Sequence, residues 1–158
     1  MARNSLLRTQ RREDGAVAVE FALVVPLFIL VIMGMVQYGF YFYAMQSGTS
    51  AVGEVTRRMT VGDCQSAGEV QTLLRGRLGK ATTASSAAGI TVVRTYTKAD
   101  GVTSASSPGE IGGTVTLTAT FPTVNLHFPL ISIPNNGNVT RTATARIEDV
   151  TAMAGGCS

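Results

Sequence analysis

One long apolar run dominates the N-terminal third of the chain. From Ala16 to Phe42 the only charged residue is Glu20, and the only other strongly polar one is Gln37. A helix over this stretch would be about 40 Å long, which exceeds the roughly 30 Å hydrocarbon core of a bilayer. The pattern therefore predicts a single helix that spans a membrane to about residue 43.

The helical period continues beyond the apolar run. Small and apolar residues recur at spacings of three and four, which places them on one face of a helix: Met45, Gly48, Val52, Val55 and Met59. Polar residues such as Gln46 and Glu54 fall on other faces. We predict one helix from Ala16 to Met59, within a segment 16–61 that Gly62 terminates.

A second, shorter helix is predicted just after this segment. "SAGE" fits a capping box, with Ser66 as the N-cap and Glu69 three residues later. The apolar stripe that follows consists of Val70, Leu73, Leu74 and Leu78. Gly79 ends the helix, and "KATTASSAAG" (80–89) has the composition of a linker.

The C-terminal half has the two-residue period of β-strands. "ITVVRTYT" (90–97), "TVTLTATF" (114–121) and "VTRTATARIE" (139–148) are rich in β-branched residues, and the last two alternate apolar residues with threonines. Such alternation is typical of an antiparallel sheet with one buried and one wet face. We read residues 98–113 as a polar loop. The predicted fold class is α+β: a long N-terminal transmembrane and amphipathic helix, then a small extracytoplasmic domain (62–158) with a short helix and an antiparallel sheet.

The segment between the last two strands is an apolar loop. "PTVNLHFPLISIPNNGN" (122–138) contains three prolines and an Asn-Asn-Gly turn signal, yet it also carries several large apolar residues. Two interpretations remain open at this point. The loop covers the sheet, or it is a contact surface for another subunit.

Charge sets the expected orientation and excludes one class of partner. The net charge of +3 is too small to indicate nucleic-acid binding. Residues 1–15 form a basic leader, which we expect to lack regular structure; its arginines are Arg3, Arg8, Arg11 and Arg12. A basic leader before an apolar span predicts a cytoplasmic N-terminus and an extracytoplasmic C-terminal part.

The two cysteines, Cys64 and Cys157, both follow the predicted span. An extracytoplasmic location permits a disulfide between them. It would close a loop of about 90 residues, which corresponds to about 4–5 kcal/mol in the chain-entropy account. The alternatives are two unrelated thiols, or a Cys157 too near the chain end to be ordered.

No constellation for catalysis or metal binding stands out. The single histidine, His127, lies in the apolar loop without an evident acidic partner, so a structural role is expected. Two cysteines and one distant histidine do not make up a metal site. We predict no enzymatic activity, no cofactor and no bound metal.

The most specific signal is the N-terminal stretch "GAVAVEFALVVPLFILVIMGMVQYGFYFYAMQSGTSAVGEVTRR" (15–58). It resembles the TadE-like family, the minor pilin (pseudopilin) components of bacterial tight-adherence (Tad/Flp) pili. The matching features are the glycine followed by small apolar residues, "AVEFALVVP", the aromatic exit from the membrane, and the small-residue helix after it.

The resemblance implies a processing site. In such pilin-like precursors a prepilin peptidase cuts on the cytoplasmic side after the glycine, which here is the Gly15–Ala16 bond. The cut would remove the leader and leave 143 of the 158 residues, with Glu20 in fifth position. Phe21 follows Glu20 where Tad pilins often carry tyrosine.

Two interpretations of Glu20 follow. It is an interfacial acid without a role, or it pairs with a cation, for which the new α-amino group of Ala16 in the same or a neighbouring subunit is the candidate. Small residues on the same helix, such as Ala18 and Gly34, would allow close helix packing.

The function implied by the resemblance is structural. The chain is expected to be a minor pilin of a tight-adherence pilus assembly and secretion system, aiding pilus biogenesis and adhesion. Expected partners are the prepilin peptidase, major and minor pilin subunits, inner-membrane pilus assembly proteins and the lipid bilayer. The expected location is the bacterial inner membrane, with a single span and incorporation into the pilus as a further step. The alternatives are an uncut single-pass scaffold of the same apparatus, and a membrane-anchored extracytoplasmic enzyme or ligand-binding domain.

Overall fold

The computed structural model describes residues 3–64, 66–104 and 109–150. The chain divides into two compact units, Met1–Val36 and Gln37–Ser158. We call them the N-terminal unit and the C-terminal unit. The described residues of the first, 3–36, are all helical, and the second is α+β, so the predicted fold class is confirmed.

Helix α1 runs from Arg3 to Met59. The predicted end at Met59 is confirmed, but the expectation that residues 1–15 lack regular structure is wrong, because the helix begins at Arg3. Leucine, arginine, glutamine and glutamate in the leader are good helix formers, and they extend a helix that is already nucleated. Along the N-terminal unit the apolar side chains are exposed, among them Val17, Leu23 and Phe28.

Helix α2 spans Ala67–Leu78 and begins with the predicted capping box. The Glu69 amide donates to Ser66 Oγ at 3.1 Å, and the Ser66 amide donates to Glu69 Oε2 at 2.9 Å. Three residues of the predicted apolar stripe are buried: Val70, Leu74 and Leu78. The sequence pattern therefore located both the start and the inner face of this helix.

The sheet has four antiparallel strands in the order β2-β1-β3-β4. Their bounds are Thr91–Thr97 (β1), Thr103–Ser104 (β2), Thr114–Pro122 (β3) and Asn138–Arg146 (β4). Strand β2 lies inside the segment predicted to be a polar loop. It contributes two residues, too few to produce a two-residue period in the sequence.

The two sheet faces match the predicted alternation. On the wet face, threonine hydroxyls of β3 and β4 form three cross-strand hydrogen bonds, each 2.9 Å long: Thr116–Thr144, Thr118–Thr142 and Thr120–Thr140. On the other face, Val115, Leu117 and Phe121 are buried. Cross-strand pairs of this kind stabilise a sheet by a few tenths to about 1 kcal/mol each.

The core of the C-terminal unit lies between the sheet and the two helices. Helix α1 contributes small and β-branched residues, including Ala44, Val52 and Val55, which are buried. Gly48 allows the closest approach, because a Cβ there would lie 2.6 Å from Phe121 Cζ. The amphipathic pattern predicted for the second half of the long helix is thus the face that packs on the sheet.

The segment predicted as a linker, 80–89, is part of this core. Ala81 and Ala84 are buried, and two short 3-10 turns, Gly79–Ala81 and Ala87–Gly89, shape the chain. The Thr83 amide and the Thr82 hydroxyl both donate to the Pro122 carbonyl, at 3.1 and 2.8 Å. The linker interpretation is wrong, because alanines and threonines are small enough to pack where the composition alone suggests mobility.

Candidate functional site

The residues predicted to form the processing site lie on α1 in the N-terminal unit. Gly15, Ala16, Glu20 and Phe21 are all exposed. No atom lies within 4 Å of the position that a Cβ would take at Gly15. A glycine inside a helix costs about 1 kcal/mol relative to alanine. The helix is therefore less stable at Gly15 than it would be with alanine, while the cut itself stays a prediction.

Glu20 lies one helical turn beyond Ala16. Residues four apart share a helix face and are separated by about 6 Å along its axis. Among the ion pairs of the side chains that the structure describes, none involves Glu20. The geometry thus allows the pairing with a new α-amino group at Ala16, while the pairing itself stays a prediction.

Helix α1 has the length and composition of a membrane span. Within the part of the chain that the structure describes, one helix meets this description, over Gly15–Met59. Residues 21–53 contain no Asp, Glu, Lys or Arg. The helix therefore fits a single-pass membrane anchor.

Gln37 and Tyr38 make contacts with the apolar loop that the sequence analysis did not predict. Gln37 Nε2 donates to the Val124 carbonyl at 2.9 Å, and Gln37 Oε1 accepts from the Leu126 amide at 2.8 Å. The Tyr38 hydroxyl donates to the Ser132 carbonyl at 3.1 Å. We call this set of three hydrogen bonds the Gln37–Tyr38 clamp. The available signal was Gln37 itself, a polar residue inside an apolar run that needs a partner when buried.

The clamp bears on whether the apolar loop (122–138) packs within the chain or forms a contact surface for another subunit. The clamp fixes the loop to α1 of the same chain at Val124, Leu126 and Ser132. In addition, the Thr123 amide donates a backbone hydrogen bond to the Gly137 carbonyl at 2.7 Å. The tip does not pack in this way, because Leu130 is 91% exposed. The loop is thus held within the chain at its ends and presents its tip outward.

Charged residues gather at the end of α1. Glu54 forms ion pairs with Arg77 of α2 at 2.8 Å and with Arg58 at 3.7 Å, and Arg58 forms another with Asp63 at 3.6 Å. Half-exposed pairs of this kind contribute little individually. Their role here is to fix the short connection between the two helices.

A groove of about 500 Å³ runs between α1 and β4 within the C-terminal unit. Its lining is small and hydroxyl-bearing, with one acid and one base: Thr49, Ser50, Gly53, Glu54, Thr56, Arg57, Ala143, Thr144 and Ala145. None of these lining residues is a histidine or a cysteine, so the groove holds no ready nucleophile–base couple of the usual kind.

The two predicted disulfide partners are only partly covered by the structure. Cys64 follows α1 and is buried. Cys157 lies outside the described residues. The disulfide therefore stays a prediction.

The described residues contain no group of three or more His, Cys, Asp or Glu side chains that could hold a metal ion. His127 is exposed, and its backbone amide donates to Asn125 Oδ1 at 2.9 Å.

Comparison with known proteins adds one finding. A sequence model of the TadE-like protein family matches residues 15–57. Residues 15–57 are therefore similar to the TadE-like protein family. The match begins at Gly15 and ends near the end of α1, so it covers about a quarter of the chain. No curated protein and no solved structure matches the chain.

The match supports a protein that is associated with the tight-adherence pilus. The matched residues include the predicted processing site, the apolar span, Gln37 and Tyr38, and the face of α1 that packs on the sheet. The sheet itself and α2 lie outside the matched residues.

Proposed function

We propose that this chain is a membrane-anchored minor pilin of a tight-adherence pilus assembly and secretion system. The observation that carries the proposal is the TadE-like match, which begins at Gly15, the residue after which the cut is expected. The exposed apolar surface of the N-terminal unit supports insertion into the bacterial inner membrane. The leader would face the cytoplasm, and the C-terminal unit would lie outside, available to major and minor pilins and to adhesion.

Processing is the first part of the proposal. A prepilin peptidase would cut the Gly15–Ala16 bond and release an α-amino group on the helix face that carries Glu20. A carboxylate at the centre of a bilayer costs about 2.5–3.5 kcal/mol on insertion scales, and the cost is smaller for Glu20, which lies near the cytoplasmic end of the span. A cation one turn away offsets this cost, because charges attract more strongly in a low-dielectric environment than in water.

The cut is tested by the intact mass of the full-length protein, expressed with and without the prepilin peptidase of its own pilus system. We expect loss of residues 1–15 only when the peptidase is present. Gly15→Leu should block the cut. Gly39→Leu is the matched control, since Gly39 lies on the same helix and is equally open, with no atom within 4 Å of its Cβ position. A full-length mass in the presence of the active peptidase would instead support the uncut scaffold.

Glu20 is tested separately, by assembly. Glu20→Gln keeps the shape and removes the charge, whereas Glu20→Asp keeps the charge. We expect the glutamine variant to be cut but lost from sheared pili and from complexes with partner pilins, and the aspartate variant to be retained in part. Normal incorporation of Glu20→Gln would show that the acid has no role in assembly.

A further inference from the structure

The loop between β3 and β4 combines apolar side chains with an absence of formal charge. Residues 123–138 contain no Asp, Glu, Lys or Arg. Near the middle of this segment Phe128 is half-buried and Leu130 is 91% exposed. A single exposed leucine is common in proteins. Whether the exposed Leu130 has a role depends on where the loop is attached to the rest of the chain.

The Gln37–Tyr38 clamp holds the loop on both sides of its tip. One attachment lies at Val124 and Leu126, where the tip begins, and the other lies at Ser132, after it. The tip, which we define as residues 126–130, therefore cannot move far from the helix residues that bind it.

The clamp lies in the outer part of the predicted span, at the point where the helix from Ala16 has already risen by the thickness of the hydrocarbon core. Residues 16–36 number 21, and a helix of that length rises about 31 Å, close to the thickness of the hydrocarbon core. Gln37 is 1% exposed under the loop backbone. The side-chain nitrogen and oxygen of Gln37 are both hydrogen-bonded, and burying such an amide costs less free energy than burying one without partners.

The helix residues just beyond Gln37 are aromatic and uncharged. Tyr38, Phe42 and Tyr43 are all exposed. Tyrosines concentrate at membrane–water interfaces, where the ring contacts lipid and the hydroxyl stays hydrated or hydrogen-bonded. Tyr38, one of these aromatic residues, also binds the loop at Ser132, two residues beyond the tip.

The backbone conformation of the tip also indicates that its side chains have a role. Leu130 has φ 67° and His127 has φ 52°. L-residues disfavour this left-handed region, and glycine is the residue that relaxes there. A leucine in this conformation, almost wholly exposed, carries a backbone cost that glycine would avoid.

We infer that the tip, residues 126–130, is a second membrane contact of this protein. It inserts Leu130 and the exposed part of Phe128 among the lipid headgroups and the outermost acyl carbons beside the helix. The inference rests on the membrane anchor of the proposed function and extends it to the C-terminal unit. Lipid is favoured over a protein partner because the tip carries no formal charge and its loop is bound by Tyr38, on a helix that has the length and composition of a membrane span.

The chain contains no tryptophan, which makes a direct test possible. A single Leu130→Trp substitution gives the full-length protein one tryptophan reporter, and Phe128→Trp gives a second reporter if the first disturbs the tip. Each variant is reconstituted at low protein density in phospholipid vesicles, with or without brominated acyl chains. Acrylamide reports access from water, and the bromines report contact with lipid.

Two further variants serve as controls. Ile111→Trp places the reporter at an exposed residue that precedes β3, whereas the tip follows the other end of this strand. Phe28→Trp places it at an exposed residue within the apolar span. We expect the brominated lipid to quench roughly half or more of the emission from Leu130→Trp and Phe28→Trp, and acrylamide to quench Ile111→Trp alone.

Each other outcome has a distinct meaning. If the Leu130 and Phe128 reporters are as open to acrylamide as Ile111→Trp and ignore the bromines, the inference is wrong. If they are shielded from acrylamide but not quenched by brominated lipid, a protein covers the tip, and the lipid contact is again wrong. If Phe28→Trp also escapes the bromines, the membrane anchor of the proposed function fails, together with the contact that depends on it.

Discussion

Gly48 and Gly53 lie on the same helix and differ in what a side chain would meet. At Gly48 a Cβ would come within 2.6 Å of Phe121 Cζ and 3.2 Å of Arg141 Cγ, whereas at Gly53 nothing lies within 4 Å. We predict that Gly48→Ala destabilises the C-terminal unit by about 1–3 kcal/mol, because the buried Phe121 ring must move. Gly53→Ala should stabilise the helix by about 0.5–1 kcal/mol.

The measurement is hydrogen exchange of β3 amides in the full-length protein in detergent micelles. Gly48→Ala should speed this exchange and Gly53→Ala should leave it unchanged or slow it. Equal effects of the two substitutions would contradict the close packing of α1 on Phe121. At this scale the sequence predicts that Gly48 lies on the inner face, but not which atoms it meets, because that depends on how the sheet approaches the helix.

Among the elements, α2 shows the most complete agreement between sequence and structure. Its capping box, its apolar stripe and its end at Gly79 are all found. We predict that Ser66→Ala lowers stability by about 1 kcal/mol, since it leaves the Glu69 amide without its side-chain acceptor. Thr72→Ala is the matched control, because the Thr72 hydroxyl donates back to the Gly68 carbonyl at 2.8 Å and caps nothing.

This prediction is checked by thermal unfolding of the full-length protein, followed by hydrogen exchange of α2 amides. Ser66→Ala should fray the first turn, and Thr72→Ala should not. Identical exchange in both variants would show that the capping box contributes nothing in this context.

Elements with a strong hydrophobic period could be predicted from the sequence. Short elements and segments made mostly of small residues could not. Strands β3 and β4 alternate because one face of the sheet is buried, and each alternation is visible over nine residues. Strand β2 is too short for any period. The buried segment 80–89 shows why composition alone does not predict burial. Alanine occurs both in exposed loops and in closely packed turns, and only tertiary contacts distinguish the two cases.

At the scale of the whole molecule, the chain after β4 returns to the end of α1. The amides of Glu148 and Asp149 both donate to the Thr60 carbonyl, at 2.9 and 3.0 Å, and Asp149 forms a parallel bridge with Val61. From Asp149 the chain needs eight residues to reach Cys157. An extended chain of that length reaches about 27 Å, which is enough to return to Cys64, three residues beyond Val61.

We therefore predict that Cys64 and Cys157 form a disulfide in the extracytoplasmic protein. Removing it by Cys157→Ser should cost about 2–5 kcal/mol, because the unfolded chain is then no longer constrained by a loop of about 90 residues. The intact mass of the unreduced protein should rise by two hydrogens on reduction, and a thiol-alkylating reagent should label it only after reduction.

Reduction should destabilise the original protein as much as Cys157→Ser does, and should have no further effect on that variant, since both changes remove the same bond. Alkylation of the unreduced, folded protein at either cysteine would contradict the bond, and the stability of this small outer core would then depend on the packing of α1 and α2 against the sheet alone.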